Sequence, residues 1–321
     1  MQQLSVPASE RAPIPAVRLG IRIAADEPIV PAAHPASMWR GIVGAELKKM
    51  SVGDTPPPPG FPLALVPGLF TYLFETPAPP QGHGLRRLPA APHPYVIQAT
   101  GTDAIPPGED TWLEISLLGA GAYAAGPILH ALDRALSQGV GHTRGVGHIV
   151  SVGKLWQAGE RVRPLPFQSG HPFLLEPPVP LASPPCPATV VVSFTTPLRL
   201  QVKGKITYAD RFHPGDWLMS VIRRISLVRT FHGAGPLELD FRALRELAQR
   251  AELIDAEFRR EDAHRWSARA GEELPLGGLA GGFVLNMRGI EAFWPYIWLG
   301  QWTHVGKATA MGMGGYLLAP G

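Results

Sequence analysis

The sequence predicts an α+β protein of two tandem βαββαβ halves, the ferredoxin-like (RRM-like) order, with a glycine-rich loop near the C-terminus. Three observations carry this prediction. Alternating and helical apolar periodicities follow one another in the same order twice. A glycine-rich turn follows the second helix of each half: Gly139-Val-Gly141-His142-Thr-Arg144-Gly145-Val-Gly147, then Gly306-Lys307 with Gly312-Met-Gly314. Between the halves lies a proline-rich stretch, Ser169–Pro187, which divides the chain into domains 1–175 and 176–321.

Taken in order, Ala16–Ala25 alternates Val17, Leu19, Ile21 and Ile23 on one face and reads as a strand. Ala36–Met50 carries Met38/Trp39, Ile42/Val43, Leu47 and Met50 at helical spacing. Arg40, Gly44 and Lys48 form another stripe of that helix, two positive charges flanking a gap. Asp54–Gly60 is a proline loop, and Leu69–Glu75 reads as a strand. Pro77–Pro94 is a loop that holds His83, Arg86, Arg87 and His93. Strands at Tyr95–Thr100 and Thr111–Leu118, a helix at Tyr123–Ser137 and a strand at His148–Leu155 complete the first half. The second half reads as a strand at Ala188–Leu200, helices at Pro214–Thr230 and Phe241–Glu252, and strands at Asp255–Trp266 and Gly278–Met287. A helix at Ile290–Leu299, the glycine-rich loop and a final strand close it.

Composition narrows the function classes. At 321 residues, the 29 Lys+Arg exceed the 26 Asp+Glu by three, so only local clustering argues for a polyanionic partner. The single cysteine, Cys186, excludes an internal disulfide and a cysteine-rich zinc site, which fits a reducing, cytoplasmic setting. No segment reads as a signal peptide or membrane span. A metal site from His142/His148 or His83/His93 lacks a completing carboxylate or cysteine, and no cofactor is expected. The loop at Gly306-Lys307 is not a nucleotide P-loop. Five residues separate it from Gly300 where four are required, and Ala308 stands in place of the magnesium-binding hydroxyl.

Seven ordered blocks together resemble one family: Trp39-Arg40-Gly41-x-x-Gly44; Tyr72-Leu-Phe74-Glu75-Thr-Pro77; Phe194-Thr-Thr-Pro197-Leu-Arg199-Leu; Arg223-Arg224-Ile-x-Leu227; Arg265-Trp-Ser267-x-Arg269; Gly277-Gly278-x-x-Gly281; and Leu299-Gly-Gln-x-x-His304-Val-Gly306-Lys307 with Gly312-x-Gly314-x-Tyr316. The family is the CRISPR precursor-RNA-processing endoribonucleases of the RAMP superfamily, and the resemblance spans nearly the whole chain. Relatives often carry paired cysteines after the first helix, whereas Ser51–Leu69 here holds none. The resemblance implies two ferredoxin-like domains and a glycine-rich loop that touches RNA. It also implies metal-independent cleavage of CRISPR repeat transcripts beside a hairpin, with a catalytic histidine near the first helix.

Attack by a neighbouring 2′-OH requires a base, an acid at the 5′-oxygen and positive charge on the phosphorane. His34, in the loop before the first helix, matches the family's histidine by position, and Arg40 and Lys48 are the expected phosphorane partners. His304, Gly306 and Lys307 are expected to meet RNA at the C-terminal loop, with His304 the second catalytic candidate but expected foremost to support the turn by hydrogen bonding, and with Arg144, His142 and His148 as the first domain's equivalent. From Pro197 to Arg229, Arg199, Lys203, Lys205, Arg211, Arg223, Arg224 and Arg229 stand against Asp210 and Asp216, a basic cluster for hairpin phosphates. The expected partners are the CRISPR repeat RNA and its retained crRNA hairpin, with effector-complex subunits in second place and no membrane. The alternative is a non-catalytic RAMP subunit that binds crRNA within an effector complex.

Overall fold

The computed structural model describes residues 14–51, 68–76, 91–99, 101–155, 163–171, 173, 175–176, 181–267 and 271–321. It divides into two compact units, Ala16–Pro178 and Val179–Gly321, the second also including Met1–Pro15. His83, Arg86, Arg87 and the loop Asp54–Gly60 lie outside the described residues.

In the N-terminal unit, β1 (Ala16–Ala25) leads to α1 (Pro35–Ser51), then β2 (Tyr95–Ala99), β3 (Asp110–Leu118), α2 (Ala125–Gln138), β4 (Gly147–Leu155) and β5 (Arg163–Leu165). The antiparallel sheet runs β2-β3-β1-β4-β5, the ferredoxin-like order plus one added edge strand. Leu19, Ile21 and Ile23 pair in register with Ile115, Leu113 and Thr111, and the first five of these are buried on the face that takes the helices. Trp39, Val43 and Leu47 of α1 and Ile128, Leu132 and Leu136 of α2 supply the opposing apolar layer. On the other sheet face the Trp112 ring lies over Gly20, where any Cβ would overlap it.

The C-terminal unit repeats the plan. β6 (Thr189–Phe194) is followed by a small hairpin, β7 (Gln201–Val202) and β8 (Lys205–Ile206), then α3 (Pro214–His232) and α4 (Phe241–Ala248). Next come β9 (Glu252–Glu261), a second hairpin of β10 (His264–Ser267) and β11 (Glu272–Pro275), β12 (Gly278–Asn286), α5 (Trp294–Thr303) and β13 (Tyr316–Pro320). Its sheet order, β13-β6-β12-β9, is again ferredoxin-like. Trp217 of α3 meets Phe283 edge-on at 5.1 Å and Tyr316 at 5.3 Å, and Phe212, Phe258 and Phe194 extend this aromatic core. Apolar all round, α5 is buried along most of its length, as such a helix must be.

Expectations fail at several elements: the strand expected at Asp255–Trp266 is two strands, β9 and β10, in separate sheets, and the helix expected at Ile290–Leu299 runs Trp294–Thr303. Leu69–Glu75 is helical, ending in a π-turn at Thr71–Glu75; Phe70 and Phe74, four apart, stack at 5.6 Å on one helical face. The strand expected at Ala188–Leu200 stops at Phe194, because Thr195 and Thr196 bond the glycine-rich turn and Pro197 has no N–H for a ladder. The helix expected to reach Glu252 ends at Ala248, and Glu252 begins β9.

Tyr316 shows how tightly the last strand is held. Its hydroxyl donates to Ile297 O at 2.7 Å, burial pushes the phenol well up, and a Cβ at Gly300 would overlap that hydroxyl. Gly300→Ala is therefore expected to cost the C-terminal unit roughly 2–4 kcal/mol through overpacking and a lost buried hydrogen bond. Calorimetry on this variant should show the unit's unfolding transition displaced downward; an unmoved transition would mean the contact is dispensable.

Candidate active site and nucleic-acid interface

His34 sits where β1 hands the chain to α1. Pro35 occupies the first helical position, where a missing N–H costs nothing. The His34 carbonyl accepts from Ser37 N and Met38 N, and its Nδ1 accepts the Ser37 N–H at 3.2 Å. The half-buried ring is thus the side-chain cap of α1. A nitrogen that accepts a backbone N–H carries no proton, so the neutral ring holds its proton on Nε2.

The stripe Arg40–Gly44–Lys48 is occupied rather than open. The Phe74 ring fills the notch at Gly44, where a Cβ would stand 2.8 Å from Phe74 Cε1. The Arg40 guanidinium lies 5.2 Å from the Phe74 ring centre, and Lys48 Nζ lies 5.7 Å from that of Phe70. Arg40 Nη2 also donates to His93 Nε2 at 3.4 Å, while His93 Nδ1 donates to Leu73 O at 2.9 Å. Burial pushes the Tyr95 phenol up and the nearby Arg40 charge pulls it down. Lys48 follows His34 by fourteen residues, about 21 Å along a helix that rises 1.5 Å per residue. His34 and Lys48 therefore cannot touch one phosphate. This corrects the expectation of a single His34–Arg40–Lys48 constellation: Arg40 is half-buried in an aromatic and histidine cage, and Lys48 belongs to a separate surface.

The C-terminal glycine-rich turn is built by close backbone approach. Gly306 has φ +90, and a Cβ there would lie 2.6 Å from Arg199 O; a Cβ at Gly314 (φ +70) would overlap Val305 O. Gly314 N donates to Pro197 O at 3.0 Å and Lys307 N to Arg199 O at 2.9 Å. Thr196 Oγ1 donates to Gly312 O at 2.6 Å and accepts from Gly315 N at 2.8 Å. His304 is 2% exposed, and its Nδ1 lies 3.0 Å from Gly312 O and 3.2 Å from Met313 O, so that nitrogen is the donor. His304 therefore holds the turn from within by hydrogen bonding. Gly306 serves packing, which leaves Lys307 as the exposed side chain of the turn.

The basic cluster divides by exposure. Lys203-Gly204 forms a two-residue turn with φ 48 and 83, both positive, which holds Lys203 and Lys205 out on the β7–β8 hairpin. Arg199 is half-buried and donates to Gly277 O at 2.6 Å. Exposed Arg211 pairs with Asp210 at 3.3 Å, and Arg223 is exposed on α3. Arg224 is buried; its Nε donates to Thr303 O at 3.2 Å, at the C-terminus of α5. Burial pulls its guanidinium down to about 10, still charged at neutral pH. This corrects its expected role in RNA binding. Arg144 is exposed on the N-terminal glycine-rich turn with φ 53.

Several residues of this geometry were not legible as functional. Nothing in the sequence pattern marks His93 and Phe74 as partners of Arg40, or Thr196 as the tie to the glycine-rich turn. His213 is the side-chain cap of α3, with Nδ1 3.0 Å from Gly215 N. The available signal was the repeated His-Pro at a helix start, His34-Pro35 and His213-Pro214, each with a tryptophan in the first turns. Among the described residues no group of three or more His, Cys, Asp or Glu is placed to hold a metal ion. Among them, too, no helix is long and apolar enough to cross a membrane.

Each of the two units has the ferredoxin-like strand order, and a glycine-rich turn precedes its last central-sheet strand, β4 in one and β13 in the other. The family model for the CRISPR-associated endoribonuclease Cas6 matches residues 192–316, and the N-terminal domain model AF_1859_N matches residues 14–166. Each of these two matches covers less than half of the chain. Among solved structures, the Cas6 (TTHB231) product complex has a TM-score of 0.58 and 17% identity, with 95% of this chain and 99% of that chain covered. Thermus thermophilus Cas6 (TTHB231) gives a TM-score of 0.55 at 17% identity, covering 95% of this chain and 99% of that one. The partial Cas6-RT-Cas1–Cas2 complex gives 0.56 at 13% identity, covering 96% of this chain and 46% of that one. At these identities the likeness is one of fold. No curated protein matches the sequence.

Adjacent arginines on α3 separate packing from binding. Arg224→Ala should cost about 2–4 kcal/mol, because it leaves a void and an unsatisfied carbonyl. Arg223→Ala should leave stability unchanged and, if the side chain meets phosphate, lower the salt dependence of RNA binding by about one. Denaturation curves and salt titrations of the two variants check both outcomes.

Proposed function

We propose that this protein is an endoribonuclease that cleaves CRISPR repeat transcripts into crRNAs by attack of a 2′-OH on the adjacent phosphorus. The Cas6 model over residues 192–316 supports the substrate class. The observation that carries the site is His34 as the side-chain cap of α1, beside a helix N-terminus that favours phosphate.

The reaction forms the 2′-O–P bond and breaks the P–O5′ bond; the 2′-OH proton leaves to solvent water and the departing 5′-oxygen takes one from His34, giving a 2′,3′-cyclic phosphate and a 5′-OH. With Nδ1 engaged by Ser37 N–H, a neutral His34 has no lone pair on Nε2 and cannot serve there as a base. His34 therefore works on the leaving-group side, where its Nε2–H donates to the 5′-oxygen. A charged imidazolium lacks the Nδ1 lone pair, so full acid catalysis opens the cap. The backbone N–H groups of the first turn of α1 supply positive potential to the phosphate. Lys307, Lys203, Lys205 and Arg223 are exposed cations for the RNA backbone, and tight product binding at such a surface would retain the hairpin. The partner is CRISPR repeat RNA, and the chemistry needs neither metal nor cofactor.

Two outcomes test this reading. His34→Ala is expected to slow single-turnover cleavage by about 10²–10⁴-fold, the usual worth of a proton-transfer group, with RNA affinity little changed. Wild-type rates in the alanine variant would move the chemistry elsewhere. Cleavage in excess EDTA should proceed at the full rate and stop when the scissile nucleotide carries a 2′-deoxy sugar; inhibition by EDTA, or cleavage of the deoxy substrate, would contradict the mechanism.

A further inference from the structure

The loop Asp26–Ala33, which delivers His34, has little secondary structure of its own. What fixes it is the glycine-rich turn that precedes β4. Asp26 N and Glu27 N both donate to Val146 O, at 2.9 and 3.0 Å, and His142 N donates to Val30 O at 2.9 Å. Ile29 forms a bridge with Ile105 on the other side. The glycines admit this approach: a Cβ at Gly141 would lie 2.6 Å from Val30 O, and one at Gly145 would overlap Pro28 O.

One side chain in the turn spans both directions of the loop. Thr143 Oγ1 donates to Pro28 O at 2.5 Å and accepts from Val30 N at 3.1 Å. It thereby satisfies the donor and the acceptor that a loop between strand and helix leaves open. Pro31 then follows with its fixed φ, and His34 comes three residues later. The second unit uses the same device with the threonine transferred to the other partner. There Thr196 of the loop after β6 bonds Gly312 O and Gly315 N of the turn. In each unit a threonine hydroxyl ties the glycine-rich turn to the loop that follows the first strand.

We propose that Thr143 is a positioning residue for cleavage: through its two hydrogen bonds to the 28–30 backbone it sets the place of His34. This inference rests on His34 acting at the scissile phosphate. It requires no contact between Thr143 and RNA, and it gives the N-terminal glycine-rich turn a role in geometry rather than in anion binding. Displacements of about 1 Å in a reacting group cost up to about a hundredfold in rate, so the loss of two loop anchors should be readable in the chemical step.

The test compares Thr143→Val, Thr143→Ser and His34→Ala on a repeat RNA that the wild-type protein cleaves, with affinity measured on the same RNA carrying a 2′-deoxy scissile nucleotide. Thr143→Val, which keeps shape and removes the hydroxyl, should slow single-turnover cleavage by about tenfold or more with affinity within about twofold of wild type. Thr143→Ser, which restores donor and acceptor, should recover most of the rate. Wild-type cleavage by Thr143→Val while His34→Ala is inactive would overturn the positioning role alone. So would a Thr143→Val defect that lies in affinity, or one that serine fails to rescue. Wild-type cleavage by His34→Ala would overturn both this inference and the reading beneath it. Thermal unfolding of each variant, expected to match wild type, separates these outcomes from misfolding.

Discussion

Backbone-on-backbone contact between a glycine-rich turn and the loop after the first strand is the interaction on which both units depend. Carbonyls of Pro28 and Val30 in one unit, and of Arg199 in the other, lie where side chains of the turn would otherwise stand. Without those glycines the second helix could not return the chain to its place beside the first strand while the first loop kept its path. The contact also satisfies polar backbone groups that neither helix nor sheet reaches. Glycine density here records a steric demand, and an anion cradle need not be invoked to explain it.

From that contact the chemistry-bearing groups are distributed. In the N-terminal unit the clamped loop ends on His34, whose ring caps α1 and so has a defined tautomer. In the C-terminal unit the same construction buries His304 under two carbonyls and leaves Lys307 outside. Two histidines beside similar turns therefore take opposite roles, one half-exposed at a helix N-terminus and one sealed as an internal tie. Arg223 and Arg224 divide in the same way. Neighbours in sequence on a helix lie about 100° apart around it, so one faces solvent and the other the end of α5.

The fold was legible because its signals are periodic. Alternation in β1 and β3, helical spacing in α1 and α3, and the repeated order of elements suffice for two ferredoxin-like units. Element types failed where aromatics carried the pattern, as at Phe70 and Phe74, since β-propensity and an i,i+4 stack use the same residues. The site was less legible, because burial and partner choice are tertiary properties. Sequence placed Arg40, Gly44 and Lys48 on one stripe but could not show Phe74 entering the gap, nor His93 arriving from a distant loop to take an Arg40 hydrogen bond. It placed Arg224 in a basic cluster but could not reveal the Thr303 carbonyl that holds it.

The central claim is that His34 serves the departing 5′-oxygen. It is tested most directly by replacing that oxygen with sulfur in the scissile linkage, since a thiolate leaves without help from a proton donor. Single-turnover cleavage of this 5′-thio repeat RNA should be nearly the same for His34→Ala and the wild-type protein. A His34→Ala variant that remains as impaired on the sulfur substrate as on the natural one would contradict the assignment and place the histidine's contribution at the nucleophile or in RNA positioning.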